Sequence, residues 1–332
     1  MPPRFNTWLT RTTGVRVPFI QGGMQNVGRA EIVSAVAEAG ALGFITAYTF
    51  SSPEALKEEI QKVRAQTKKP FGVNFTLLPA INPPDYDAFA KVAVAEGITI
   101  FETSGNPMPI LPTLRSINSI IIHKCVSIKH AKKAQSLGVD AISIDGFECA
   151  GHPGEDDVTS LILLARCQQE LQIPYIASGG FADARGAAAA FALGACAVNM
   201  GTRWLCTVEA PIHDNIKRAL VGAKETDTNL ILKRLNNSVR CFKNEVSDEV
   251  AEIERSTADF TFEQVKALMA GARGREAYDT GNIHAGIWSA GQSQALIFDV
   301  PTCRVLVDRL ERDTIEILRT TPKMIIEDGP NL

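Results

Sequence analysis

The strongest constraint on this chain is an alternation that runs through its first two thirds. Eight short apolar runs, rich in β-branched residues, are each followed by a stretch with other periodicity, mostly helical. The runs are Val17–Gln21, Leu42–Thr46, Phe71–Phe75, Ile98–Glu102, Ile120–Lys124, Ala141–Asp145, Tyr175–Ser178 and Ala197–Met200. Helical patterns fill the intervals at Arg29–Ala39, Pro53–Arg64, Tyr86–Glu96, Ile110–Arg115, Ile128–Leu137, Val158–Leu171 and Ala184–Leu193. Gly40, Gly97, Gly138 and Gly194 stand where a left-handed residue ends a helix. Strands joined by helices pair in parallel and are buried on both faces. Eight units in about 200 residues predict a closed (β/α)8 TIM barrel, because open doubly wound sheets stop at about five or six strands.

After the eighth run the pattern changes. From Pro211 to about Asn282 the sequence reads as helical, in IHDNIKRALVGA, NLILKRLNNSVRCFKNEVSDEVAEIE and TFEQVKALMAG. The expected α/β organisation is therefore a barrel over 1–210, a small helical second domain over 211–285, and a return segment over 286–332. That last segment carries an amphipathic helix at Cys303–Arg319, with Val305, Leu306, Leu310, Ile315 and Leu318 on its apolar face.

Composition narrows the function. The 332 residues carry a formal net charge of -3 and no long basic run, so no nucleic-acid footprint exists. No apolar stretch is long enough to span a membrane. Seven cysteines, odd in number and without a CxxC pair, together with an N-terminus lacking a secretory core, indicate the cytoplasm and no metal site. Small molecules are the expected partners.

In a barrel, chemistry gathers where strands hand over to the following loops. These ends carry Gly22, Gly23 and Met24, then Asn74, Lys124, Asp145, Ser178 with Gly179 and Gly180, and Met200 with Gly201 and Thr202. The last two loops are where this fold usually binds phosphate through glycine N–H groups. Neither GxGxxG nor GxxxxGK[ST] occurs, so flavin mononucleotide (FMN), with one terminal phosphate, fits best. The run SIDGFECAGHPGEDD at 143–157 leaves a buried strand for a glycine-punctuated loop holding His152, whose imidazole suits proton transfer near neutrality.

Other candidates have plainer readings. His123 and His130 fit a strand end and a helix surface, and His213 and His284 fit structural roles. Glu155, Asp156 and Asp157 read as the acidic start of the following helix, and the cysteines as small core residues. Lys124 could merely snorkel, yet a cation on the catalytic rim can stabilise negative charge on a reduced flavin.

QGGM at 21–24, GVNFTLLP at 72–79, HKC at 123–125, SIDGFECAGHPGEDD at 143–157, ASGGFADARG at 177–186, NMGTRW at 199–204 and GIWSAGQ at 286–292 together resemble the nitronate monooxygenase (2-nitropropane dioxygenase) family. The similarity is greatest to its NADH:quinone reductase branch. It implies an FMN-binding barrel with a helical second domain. Gly22, Gly23 and Met24 would run along the flavin ring, Asn74 and Lys124 would bond its polar edge, and Asp145 and Gly151 would lie near the ribityl chain. Ser178, Gly180, Gly201 and Thr202 would hold the phosphate, Gly179 and Met200 would also bind the cofactor, and His152 would face the flavin as the catalytic residue. Where efficient nitronate oxidation uses Gly-Gly-His, this chain has Ala150-Gly151-His152-Pro153. The expected activity is NAD(P)H:quinone reduction, with oxidation of alkyl nitronates by O2 as the alternative. A flavin-storage or sensing barrel would leave the histidine without a role.

Overall fold

The computed structural model describes residues 3–77 and 83–324. Eight parallel strands close into a barrel: β1 Phe19–Gln21, β2 Leu42–Thr46, β3 Gly72–Leu77, β4 Ile100–Gly105, β5 Ile120–Cys125, β6 Ala141–Asp145, β7 Tyr175–Ser178 and β8 Val198–Met200. Strand β8 pairs back onto β1, with Ile20 opposite Asn199. Of the motif at 72–79, Leu78 and Pro79 lie outside the described residues. The expected helices form within a residue or two of their sequence bounds, and the four glycines after them take positive φ, Gly40 at 93° and Gly97 at 72° among them.

Each strand obeys a period of two, and that period divides the barrel into layers. Outward residues such as Phe19, Ile45, Val73, Phe101, Ile121, Ile142 and Val198 pack beneath the helices. Inward residues at the strand starts, Ile20, Leu42, Phe44, Ile100, Ile122, Ala141, Ile176 and Ala197, fill the lower barrel with a separate apolar cluster. A helix that sequence periodicity missed, Trp8–Thr13, plugs this end with Leu9 and Trp8. One or two inward positions further on, the residues become polar: Asn74, Glu102, Lys124, Ser143, Asp145, Ser178 and Asn199. The lower layer is thus core, and the upper layer belongs to a site.

The second region departs from the helical expectation. Helices form at Asp214–Val221 and Glu245–Ser256, but NLILKRLNNSVRCF folds as an antiparallel ribbon, β9 Thr228–Ile231 with β10 Val239–Phe242. Its connection needs left-handed backbone at Leu232 and Asn236, with φ of 61° and 50°. Asparagine accepts that conformation and so favours a turn where a helix was expected. The stretch read as a helix at TFEQVKALMAG holds only a 3-10 turn, Phe262–Gln264, and the longer helix lies beyond it at Gly271–Thr280. The C-terminal helix, Cys303–Thr320, returns to the barrel and packs against the helices Ala184–Ala192 and Ala30–Glu38. Its inner face is Leu306, Val307, Leu310 and Thr314, whereas Val305 points outward.

Candidate active site

A cavity of about 610 Å³ opens above the polar layer. Of the strand-end residues singled out from sequence, Gly22, Gly23, Met24, Lys124, Asp145, Gly151, Ser178, Gly179, Gly180, Met200, Gly201 and Thr202 all line it. Its outer wall comes from the second region, with Gly274, Arg275, Tyr278, Ile287 and Trp288.

The floor is organised by a residue that sequence reasoning passed over. Glu102, only 1% exposed, accepts hydrogen bonds from the Gly23 N–H at 2.8 Å, from Asn74 Nδ2 at 2.7 Å and from Asn199 Nδ2 at 3.1 Å. Asn74 reaches it because the two are register partners on β3 and β4. Their amides leave no room above: a Cβ on Gly23 would lie 2.1 Å from Asn74 Cγ, and one on Gly22 would lie 2.5 Å from Asn199 Oδ1. Both glycines are therefore required by close approach. The available signal was a lone glutamate in the apolar run ITIFE, at an inward position.

Asn74 does not line the cavity. It is buried beneath the Gly22–Gly23 loop, its Nδ2 engaged by Glu102 and its Oδ1 accepting from Thr76 at 3.2 Å. His152 is also absent from the cavity wall. It is an exposed residue, and no histidine among the described residues lines the cavity. The acidic run after it does not begin a helix either. Glu155 accepts from the Ser238 N–H at 2.8 Å, Asp157 pairs with Lys233, and the helix starts only at Ser160. Its first N–H is instead taken by Glu148, at 3.0 Å. The carboxylates reach across to the β9–β10 ribbon, whose basic and N–H groups compete for them.

Lys124 Nζ lies 3.6 Å from Asp145 Oδ2. Burial disfavours its charge, but Asp145 and Glu102 outweigh that effect and raise its pKa, so the cavity holds a cation. His123 faces outward from the barrel, buried and 2.8 Å from Thr103 Oγ1, and burial pushes its pKa down to about 4. His213 accepts from the Asn215 N–H and His284 from the Glu245 N–H, both capping roles. The seven cysteines are free and mostly buried, and burial pushes thiols such as Cys167 up to about 12.

The two late glycine loops have the backbone that an anion site needs. Gly179 and Gly180 are consecutive left-handed residues at φ 80° and 84°, and the Gly180 N–H has no acceptor among the described residues. A Cβ on Gly201 would meet nothing nearer than Met24 Sδ at 3.9 Å, so that position is open. Trp204, fully buried, ties this loop to β1 by donating from Nε1 to the Ile20 carbonyl at 2.9 Å. The return segment closes over the loops: the Gly291 N–H donates to Thr202 Oγ1 at 3.0 Å, and Trp288 stacks on Phe242 at 4.2 Å between centroids.

A closed parallel barrel with one cavity over its strand ends, a cation in its wall and glycine loops beside β7 and β8 defines a cofactor-binding barrel enzyme. The family model described as nitronate monooxygenase matches residues 6–313. A Rhodococcus jostii protein named (3aS,4S,5R,7aS)-5-hydroxy-7a-methyl-1-oxo-octahydro-1H-indene-4-carboxyl-CoA dehydrogenase is 30% identical, over 93% of this chain and 96% of its own. A nitronate monooxygenase of Paraburkholderia phytofirmans is 29% identical, over 92% and 95%. The solved structure of FabK from Thermotoga maritima superposes with a TM-score of 0.89 at 31% identity, over 97% of this chain and 100% of that one. The chain belongs to the nitronate monooxygenase family, and it is an oxidoreductase of that flavin-dependent group.

Proposed function

We propose that the protein is an FMN-dependent NAD(P)H:quinone reductase of the cytoplasm. The barrel, 1–210, would hold the cofactor, with 211–285 as the covering domain and 286–332 returning to the barrel. FMN, when bound, would accept a hydride from reduced nicotinamide and pass electrons to a quinone. Backbone at Gly22, Gly23 and Met24 would support its ring, with Glu102, Asn74 and Asn199 keeping that backbone in place from below. Lys124 would supply positive charge at the ring's polar edge, with Asp145 and Gly151 along the ribityl chain. Ser178, Gly179, Gly180, Met200, Gly201 and Thr202 would surround the phosphate. The observation that favours this reaction over oxidation of a neutral nitroalkane is the cavity wall, which carries no histidine among the described residues. Hydride transfer needs no general base, whereas proton abstraction from a nitroalkane does.

The second reading is nitronate oxidation by O2, favoured by the family's name and the Paraburkholderia relative. For a neutral nitroalkane it would require His152 to turn inward from its exposed position and act as the base, whereas the nitronate, already ionised, needs none. Anaerobic mixing of the flavin-loaded protein with NADH, NADPH and propyl nitronate separates the two. We expect a pyridine nucleotide to bleach the flavin and a quinone to restore its colour. Bleaching by the nitronate alone would establish the second reading. The Rhodococcus relative's name, that of a dehydrogenase of a carboxyl-CoA, makes an acyl-CoA a further electron donor to run beside the nicotinamides.

A further inference from the structure

Arg240 lies on β10, outside the barrel, yet its side chain is 3% exposed and turned toward the loop that follows β6. Its Nε donates to the Phe147 carbonyl at 3.2 Å, and its guanidinium carbon sits 4.4 Å from the centre of the Phe147 ring. Nη1 donates to Thr228 Oγ1 on the neighbouring strand at 2.9 Å, which fixes the fork. The Arg240 backbone holds a second point on the same loop: the Gly151 N–H donates to its carbonyl at 2.9 Å, and its N–H donates to the Gly151 carbonyl at 2.6 Å. The two held residues bracket Glu148, Cys149 and Ala150, all three of which line the cavity.

We propose that Arg240 is a positioning residue. Through it the second region sets the place of the 148–150 cavity wall. Side chain and main chain hold opposite ends of the segment, so neither contact alone would fix it. The residue type follows from the geometry. A planar guanidinium can stack on Phe147 and donate to its carbonyl together, which neither lysine nor an apolar side chain can do. Nη2 is buried without a partner, a cost that a residue retained only for stability would not carry. The ribbon's other ties to this loop, Ser238 to Glu155 and Lys233 to Asp157, lie beyond Gly151, so Arg240 is the ribbon's hold on a wall that Gln292 and Ser160 also anchor at Glu148, at 3.0 Å each.

The consequence for catalysis rests on reading the cavity as the cofactor and substrate site, but the placement of the wall can be measured without it. Cys149 reports on the wall, being almost buried there. In R240K, which keeps the positive charge beside the Cys149 thiol and loses the fork, N-ethylmaleimide should alkylate Cys149 about ten-fold faster than in the wild type, the gain in opening that losing one charged hydrogen bond allows. Cys125 and Cys303, mapped in the same digest by mass spectrometry, should keep their rates. Millimolar guanidinium should slow Cys149 labelling in R240A and leave the wild type unchanged. If R240K does not fold, the R240A comparison with and without guanidinium carries the test, since the added ion restores charge and fork together. An unchanged Cys149 rate, or equal acceleration at all three cysteines, would overturn the proposal. A Cys149 response in a protein whose flavin no donor bleaches would support the clamp and sink the functional reading alone.

Discussion

Removing the Glu102 carboxylate should be among the most damaging single changes in the barrel that leaves the apolar core untouched. Three donors converge on it: the Gly23 N–H, Asn74 Nδ2 and Asn199 Nδ2. A buried donor left without an acceptor costs about 1–3 kcal/mol. In E102A, water entering from the cavity can serve the half-buried Gly23 N–H, and Asn199 Nδ2, in the cavity lining, keeps Ser143 Oγ at 3.3 Å, while the Asn74 amide, 2% exposed and beneath the loop, loses its acceptor. The expected loss is therefore about 2–4 kcal/mol, about 1–3 for the orphaned Asn74 amide and about 1 for the weaker bonds left to the other two donors, against a total stability on the order of 5–15 kcal/mol for a domain. E102Q keeps one acceptor but presents an NH2 group to a donor, so it should lose about 1–3 kcal/mol. The order of the two variants matters as much as their size. Urea denaturation followed by circular dichroism, with the slope checked for constancy, measures both. Flavin affinity should fall in the same order, because the Gly22–Gly23 loop rests on this carboxylate. An E102A midpoint within about 0.5 kcal/mol of wild type would show that the network does not hold the floor together.

His123 should give the fold a measurable acid sensitivity. Its folded pKa is pushed down to about 4 from 6.5, so the unfolded chain binds a proton that the folded chain refuses. Stability from the neutral ring is fully present above about pH 6.5 and falls as pH drops toward about 4, by about 3 kcal/mol in all. His123→Phe should remove that slope while costing about 1 kcal/mol at neutral pH through the orphaned Thr103 hydroxyl, and an unaltered stability curve between pH 4 and 7 would count against this. Gly23→Ala should cost about 1–3 kcal/mol, because the new Cβ meets an Asn74 amide that Glu102 holds in place. Gly201→Ala, with open space around it, serves as the control in the same thermal melts, and equal losses in the two would remove the close-approach explanation.

The barrel was legible in the sequence because each of its units is locally encoded. A β-branched run of four to six residues, a helical repeat and a glycine after it bias the backbone whatever surrounds them. The eight strands lie where those signals put them. The strand-end rule then named most of the cavity lining, since in a parallel barrel the C-terminal ends must share one face. Where local signals were ambiguous, long-range contacts decided. NLILKRLNNSVRCF has enough leucine and arginine for a helix, but pairing of β9 with β10 and the asparagine turn made it a ribbon. Glu155 and Asp157, suited by charge to a helix start, were claimed by Ser238 and Lys233 from some eighty positions away. Depth within the barrel was not readable at all. Asn74 and Lys124 both read as strand ends, yet β3 runs on to Leu77, and register puts one beneath the Gly22–Gly23 loop and the other in the cavity wall. His152 stands one residue beyond a cavity-lining glycine and still faces solvent. Sequence determines which residues reach the rim, because propensity and period are properties of neighbours along the chain. Which of them meet there is decided by barrel closure and by the ribbon packed over it, through contacts between residues far apart in sequence.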